Sequence, residues 1–373
     1  MNGVAGTVFL ASVLFVAYVA AGYPALLALW RRRAPEPRRS SGEERSISVI
    51  LPVRNGERWI RRKIESLLAQ TYPRELVEIL VVSDGSTDRM EDTVREFGEA
   101  VRLLRIPPAG KWAAINCALA QARGELLFFT DVRQTLDADC LSVLASYFGD
   151  PTVGVVSGEL MILAGETSAS LYWEYEKWIR RRQSQIDSVL GATGAIYMMR
   201  RALASPLPPG TLLDDAHLPF QAFFRGYRLL WTQEARAYDE PVALEAEFRR
   251  KVRTLAGVYQ LLGQFPALLG PRNRMWFHFL SHKFARLLLP YALVAAAISS
   301  FFLGRFWAPL TVTGQAVFYG LALVDPWVPQ RLRLKRLSSV ARTFVTLVAA
   351  ALCAASILFS RSKDFWGSPT AST

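Results

Sequence analysis

The chain has 373 residues, 51% of them hydrophobic, with 44 Lys and Arg against 32 Asp and Glu, a formal net charge of +12. That apolar fraction is high for a soluble enzyme and low for an all-membrane protein, so the composition points to a hybrid of one domain of roughly 200–250 residues and a few membrane spans. Cys117, Cys140 and Cys353 are odd in number and widely spaced, which argues against a disulfide framework or a structural zinc. The basic surplus would suit nucleic acid, but it flanks apolar runs, at Arg31–Arg33 and at Arg331, Arg333, Lys335 and Arg336. Charge in those places reads as membrane topology and lipid headgroup contact, and no DNA- or RNA-reading module is expected.

Gly3 to Trp30 holds no charged residue, long enough for a bilayer span of about 20 residues. Positive charge follows the run instead of preceding it, so the segment reads as a retained anchor with an external N-terminus, residues 1–31. Residues 32–46 are rich in Pro, Arg, Ser and Glu and read as a linker. From Ile47 the pattern alternates. Strands are expected at Ile47–Val53, Val77–Val82, Val101–Ile106 and Glu125–Thr130, and helices at Arg58–Gln70, Thr87–Phe97 and Ala113–Ala122. This predicts an α/β fold, a Rossmann-like, mostly parallel sheet covered on both faces, whose ligands sit beyond the carboxyl ends of the strands. Arg54, Asp84 and Asp131 fall at such ends.

Further along, a helix is expected at Asp137–Phe148, capped by Asp137 and Asp139, then a strand at Val153–Ser157 and a basic, aromatic helix at about Ser168–Ile186. The Gly191-Ala-Thr-Gly194 loop leads to a strand at Ala195–Met199. A helix near Asp215–Arg225 and a strand at Arg228–Trp231 follow. Thr254–Leu269 has helical spacing broken by Gly and Pro, fitting an interfacial helix or a buried one. Spans are expected at about Phe284–Leu303, Phe306–Val324 and Val340–Phe359, with Trp307, Trp327 and Trp366 near their ends. The expected divisions are a cytoplasmic domain at 47–253, interfacial helices at 254–283, three C-terminal transmembrane helices at 284–360 and a tail at 361–373, with both termini outside.

Several short patterns carry chemistry. Leu51-Pro52-Val-Arg54-Asn55-Gly-Glu57 follows the first strand; Pro and Asn-Gly by themselves mark a turn. Val82-Ser-Asp84-Gly-Ser-Thr-Asp88 puts a carboxylate at a strand end, suited to a base or ribose or to a capped turn. Gly110-Lys111 opens a helix, where an ammonium and the helix dipole together suit a diphosphate, or where the lysine is simply solvated. Asp131 ends an apolar strand, a costly place for a carboxylate without a metal or ligand. Asp214-Asp215 offers a base whose neighbour can raise its pKa, or a helix N-cap pair.

In order, these segments resemble family-2 glycosyltransferases, the inverting class with the GT-A fold that includes cellulose, hyaluronan and exopolysaccharide synthases. The likeness covers about Ile47 to Gln260. It implies that the Pro52, Arg54 and Asn55 loop cradles the nucleotide, that Asp84 meets the nucleobase and that Lys111 meets the phosphates. Asp131 then stands at the first position of the Asp-x-Asp motif and would hold Mg²⁺ or Mn²⁺. Arg133 replaces the second acid, leaving Asp131 with diphosphate oxygens and water, or giving Arg133 part of the charge neutralisation. Asp215 becomes the base and Asp214 the supporting acid, and Gly191 and Gly194 let backbone approach the sugar. Arg250 and Arg253 fall where processive members carry Gln-x-x-Arg-Trp, with Arg253 on the diphosphate; a basic juxtamembrane patch is the plain alternative. Thr254 in place of the Trp argues against long-chain processivity. Trp173, Trp178 and Arg180–Arg182 suit acceptor contact, headgroup contact or packing.

The function implied is a membrane-bound inverting transfer from a nucleotide-sugar, UDP-sugars first and GDP-sugars next, to a polysaccharide or lipid-linked acceptor. Export would need partner subunits or a flippase. A nucleotidyltransferase, or a non-catalytic scaffold or export subunit that binds nucleotide, stands as the alternative.

Overall fold

The computed structural model describes residues 3–31, 33–40, 44–163, 168–240, 244–329 and 331–359. The expected tail at 361–373, with Trp366, lies outside them. Two compact units emerge: a sheet unit, residues 32–164 and 180–241, and a helical unit, residues 1–31, 165–179 and 242–361. The Ser168–Ile186 helix contains the boundary.

The sheet unit is built on eight strands: β1 Ile47–Val53, β2 Val77–Asp84, β3 Arg102–Ile106, β4 Leu126–Phe129, β5 Thr135–Leu136, β6 Val153–Ile162, β7 Tyr197–Arg200 and β8 Arg228–Asp239, in the order β3-β2-β1-β4-β7-β6-β8-β5. The half from β3 to β4 is parallel, in the register Ile47 to Val77 and Ile47 to Leu126. β1, β2 and β4 read as nearly continuous apolar runs because both faces are covered, whereas the edge strand β3 carries exposed Arg102 and Arg105. Ile47, Val49, Ile50, Leu51 and Val53 are at most 2% exposed, worth roughly 1.5–3 kcal/mol each. The other half is mixed: β7 runs antiparallel to β4 and β6, β5 antiparallel to β8, and β6 parallel to β8. The half in which strand and helix alternate strictly is wholly parallel, and in the mixed half only the β6–β8 pair is.

Several elements differ from expectation. β6 and β8 run well past Ser157 and Trp231, pairing as far as Ile162 with Asp239. The polar residues Gln233, Glu234 and Arg236 in β8 conceal the strand period. β5, two residues long, pairs with β8, and its Leu136 N also donates to Ser66 Oγ at 2.9 Å. The expected Thr87–Phe97 helix shrinks to Met90–Arg95. Asp139 stands at the N-cap of the Cys140–Ser146 helix without a side-chain capping bond, and Asp137 contributes its backbone carbonyl to Cys140 N. The stretch expected as a plain linker is pinned to the sheet unit. Arg39 donates to Glu234 (2.5 Å) and to the Tyr147 hydroxyl (2.6 Å), and Ser40 N donates to the Ser146 carbonyl.

In the helical unit, four helices are long and apolar enough to cross a membrane among the described residues: Gly3–Leu29, Trp276–Ser300, Trp307–Trp327 and Leu334–Leu358. Their lengths, 21–27 residues, match a hydrocarbon core about 30 Å thick at 1.5 Å per residue. The second begins eight residues before the expected Phe284. Its polar residues are accommodated within the unit: Tyr23 meets His278 at 3.2 Å and Arg286 donates to Glu176 at 2.5 Å. Asp325, 3% exposed, accepts from Lys335, Ser338, Ser339 and Arg342 and so ties the third helix to the fourth. The Thr254–Leu269 segment belongs to one helix, Leu244–Gln264, followed by a short turn at Pro266–Leu269.

Candidate active site

β4 ends at Phe129, and the chain turns at Thr130-Asp131 beyond the carboxyl edge of the parallel strands. Facing it is the Lys111–Gln121 helix, whose N-cap Gly110 has φ +104°, a backbone state that favours glycine. Asp84, at the end of β2 and 4% exposed, holds that entry in place. Its carboxylate accepts from Ala109 N at 2.7 Å and Gly110 N at 3.0 Å. In the structure Asp84 thereby positions Lys111, an arrangement its strand-end place does not reveal. Asn116, further along this helix, clasps both backbone groups of Leu207, at 2.9 Å and 2.7 Å, fixing the approach to Asp214.

The Lys111 ammonium lies 3.0 Å from Asp131 Oδ1 and 3.1 Å from Asp214 Oδ2. Burial acts to lower its pKa, but Asp131, Asp214 and Asp215 together outweigh burial and raise it above the ordinary lysine value. The lysine is fully charged at neutral pH, and the solvated alternative is set aside.

Asp214 and Asp215 form the first turn of the Asp214–Phe224 helix. The N-cap is Leu213, with no side-chain cap bond, so the pair does not serve as a cap. Pro219 lies inside this helix and lacks the N–H that would meet the Asp215 carbonyl four residues back. Ala192 N takes that acceptor at 2.7 Å. The missing helix bond thus docks the Gly191–Gly194 loop onto the acidic turn. A Cβ built at Gly194 would stand 3.3 Å from Asp215 Oδ2 and 3.7 Å from Asp131 Oδ2. Gly194 therefore lies in the gap between the two carboxylates, where an added Cβ would crowd Asp215 by a few tenths of an ångström and meet Asp131 at ordinary contact distance.

Burial first, then the neighbouring Asp214, raises the pKa of Asp215 to about 6, against the pull of Lys111 and Arg180. Arg180 donates to Thr193 Oγ1 at 2.7 Å, and Thr193 N donates to Ser157 Oγ at 2.8 Å. Tyr197, under the site and stacked on Phe129 at 4.5 Å, is pushed upward in pKa by burial and by the same three carboxylates.

The Pro52–Asn55 loop meets the Asp84–Asp88 loop. Asn55, at φ +51°, accepts from Thr87 N at 2.8 Å and donates its own N–H to Ser86 Oγ at 3.1 Å. Arg54 is exposed and Pro52 half-buried. Arg133 turns away to a buried partner, with bonds of 2.7 Å and 2.8 Å to Asp239, so its charge is neutralised within the fold. That disagrees with a role for Arg133 as a replacement cation. Arg250 and Arg253 belong to the helical unit, where Arg250 pairs with Glu247 at 2.6 Å.

Among the described residues no group of three or more His, Cys, Asp or Glu side chains is arranged to hold a metal. Asp131 is the carboxylate at the end of β4, while Asp214 is engaged by Lys111. One carboxylate completed by substrate phosphates and water is an ordinary way of holding Mg²⁺, and the site fits a divalent ion in that mode only.

The chain is similar to known glycosyltransferases. The family described as Glycosyl transferase family 2 matches residues 48–206, which contain Asp84, Lys111, Asp131 and Gly194. The Haloferax volcanii protein named Glycosyltransferase AglE is 36% identical over 224 residues, covering 54% of this chain and 71% of that protein. A Bacillus subtilis protein named Probable glycosyltransferase YdaM is 26% identical over 261 residues, covering 63% of this chain and 61% of its own length. The chain thus spans about three fifths of that relative. Among solved structures, the mannosyltransferase PcManGT from Pyrobaculum calidifontis, in complex with GDP-Man and Mn²⁺, superposes with a TM-score of 0.72 at 22% identity, covering 94% of this chain and 99% of that one. That likeness establishes a shared GT-A-type fold.

Proposed function

This chain belongs to glycosyl transferase family 2, and on that premise we propose that it moves a sugar from a nucleotide-sugar to an acceptor hydroxyl with inversion at the anomeric carbon. The observation that carries the proposal is the convergence of Asp131, Asp215 and Lys111 around Gly194 at the carboxyl edge of the parallel strands. The acceptor oxygen attacks the anomeric carbon, and its proton passes to Asp215. The bond from that carbon to the diphosphate oxygen breaks, and the nucleoside diphosphate leaves. A base with a pKa of about 6 is ionised at neutral pH yet basic enough to take that proton as it is released. Asp214 supports it by raising that pKa and by holding Lys111. Lys111 faces the departing phosphates, where its charge offsets the charge that develops. Bound Mg²⁺ or Mn²⁺ on Asp131 would supply further neutralisation of the diphosphate. The Pro52, Arg54 and Asn55 loop and the Asp84 loop form the nucleotide end.

The four apolar helices support a membrane-bound enzyme with the sheet unit on the cytoplasmic side and both termini outside. The acceptor is then a polysaccharide or lipid-linked sugar presented at the lipid surface, with any export left to partner subunits or a flippase. UDP- and GDP-sugars are both candidates, the second because the mannosyltransferase of the same fold carries GDP-mannose. The test is thermal stabilisation of the purified protein by a panel of nucleotide-sugars, with and without Mn²⁺. A ligand at 100 times its Kd stabilises by about 2.7 kcal/mol. A panel that leaves the unfolding temperature unmoved would sink the donor assignment.

A further inference from the structure

Lys63 lies on the Glu57–Leu68 helix, on the buried stripe formed with Ile60, Ile64 and Leu67. The stripe is otherwise apolar and Lys63 is 1% exposed. An ammonium in such a place is costly unless it is hydrogen-bonded, and this one has specific partners. Its Nζ donates to Thr130 Oγ1 at 2.6 Å and to the Gln134 carbonyl at 2.8 Å. Those two residues bracket Asp131, Val132 and Arg133 from either side. The Thr130 hydroxyl passes the contact on, donating to the Ala195 carbonyl at 2.8 Å, directly after Gly194. At the far end of the turn, the Gln134 side chain joins Arg133 on Asp239, at 2.7 Å. One buried lysine side chain thereby fixes both ends of the Asp131 turn and, through Thr130, the strand entry that carries Gly194.

We propose that Lys63 is a positioning residue for donor binding: from beneath the site it sets the separation of Asp131 and Gly194 into which the diphosphate and its sugar fit. This rests on the assignment of Asp131 to the donor diphosphate. A buried lysine kept only for stability would be dispensable for binding, although removing it leaves two buried acceptors unpaired. A lysine that sets the turn would not be dispensable. Removing the outer support of a ligand-holding carboxylate typically costs 10–100-fold in affinity.

The experiment uses the full-length protein in detergent and three variants, Lys63→Met, Thr130→Val and the double substitution. Binding of UDP and of GDP in the presence of Mn²⁺ is measured by calorimetry, the unfolding temperature is recorded for each protein, and KM and kcat are determined. The expected result is that Lys63→Met unfolds cooperatively but binds the diphosphate about 10–100-fold more weakly, with KM for the donor raised in step. Thr130→Val should lose part of the same affinity, and the double variant should lose no more than Lys63→Met alone, since both act through one contact. Unchanged affinity in Lys63→Met, or losses that multiply in the double variant, would overturn the proposal. Should Lys63→Met not fold, Thr130→Val decides alone: weaker binding supports the positioning role and unchanged binding overturns it. If the unsubstituted protein binds neither UDP nor GDP, the donor reading itself has failed and this proposal falls with it, at a different step.

Discussion

Gly194 and Asp215 approach so closely that a single added methyl would lie 3.3 Å from the Asp215 carboxylate. What a side chain here would disturb is space and not backbone conformation, since Gly194 is not among the glycines with positive φ. Gly194→Ala should therefore fold normally and bind or use the donor poorly. A misplacement of even 1 Å near reacting groups can cost about 100-fold in rate, and kcat/KM is expected to fall by roughly that factor with little change in unfolding temperature. Normal kcat/KM in this variant would mean that the sugar does not enter the gap beside Asp215.

The raised pKa of Asp215, about 6 against an ordinary 3.8, has two consequences of opposite sign. For catalysis the base must be ionised, so kcat/KM should fall tenfold per pH unit below about 6. For stability, the folded state holds the proton more tightly than the unfolded chain does. The carboxylate's contribution is favourable below pH 4 and is lost as pH rises through about 6. Asp215→Asn should then melt above the parent at pH 8, and the difference should close as pH falls toward 4. Paired melting curves across that range check the sign.

Lys111 offsets the charge of Asp131 and Asp214 and helps keep Asp215 ionised. Lys111→Met removes that pull, so the acid limb of the pH–rate profile should move to higher pH. The rate at saturating donor should fall by about 10²–10³-fold, as when a preorganised cation or donor is lost from a developing charge. A profile with an unmoved acid limb would separate Lys111 from Asp215 electrostatically.

Arg133 is bound at two points to Asp239, which is 6% exposed and also accepts from Gln134. Arg133→Gln should cost about 1–3 kcal/mol of stability, the penalty for weakening the partner of a buried acceptor, and that cost should shrink when Asp239→Asn is added. Chemical denaturation of the two singles and the double measures the coupling. A large loss of diphosphate affinity without loss of stability would instead return Arg133 to the donor.

Much of the sheet unit was legible because its strands follow a simple physical pattern. The apolar runs of β1, β2 and β4, β-branched in the first two and Leu-Phe in the third, are covered on both faces, and the ends of β2 and β4 carry Asp84 and Asp131. The mixed half was harder. Gln233, Glu234 and Arg236 obscure β8, and β5 exists only because β8 does. Among site residues, Asp131, Asp215 and Lys111 were visible as strand-end and helix-start signals, and Gly194 only through the family resemblance. Lys63 and Pro219 were not. A lysine in an apolar stripe reads as an interruption, and a proline inside a helix reads as a break, until the turn above one and the loop beside the other are in place. Pro219 could have been found from the sequence, because it frees the carbonyl four residues back, that of Asp215. Nothing local to Arg133 foretold its partner 106 residues away.

The most direct test is release of nucleoside diphosphate by the purified protein from UDP- and GDP-sugars, compared between the parent and Asp215→Asn while donor binding is followed in both. Loss of the base should lower release by about 10²–10⁴-fold and leave donor affinity within a few-fold. Release at the parent rate in Asp215→Asn would contradict the account.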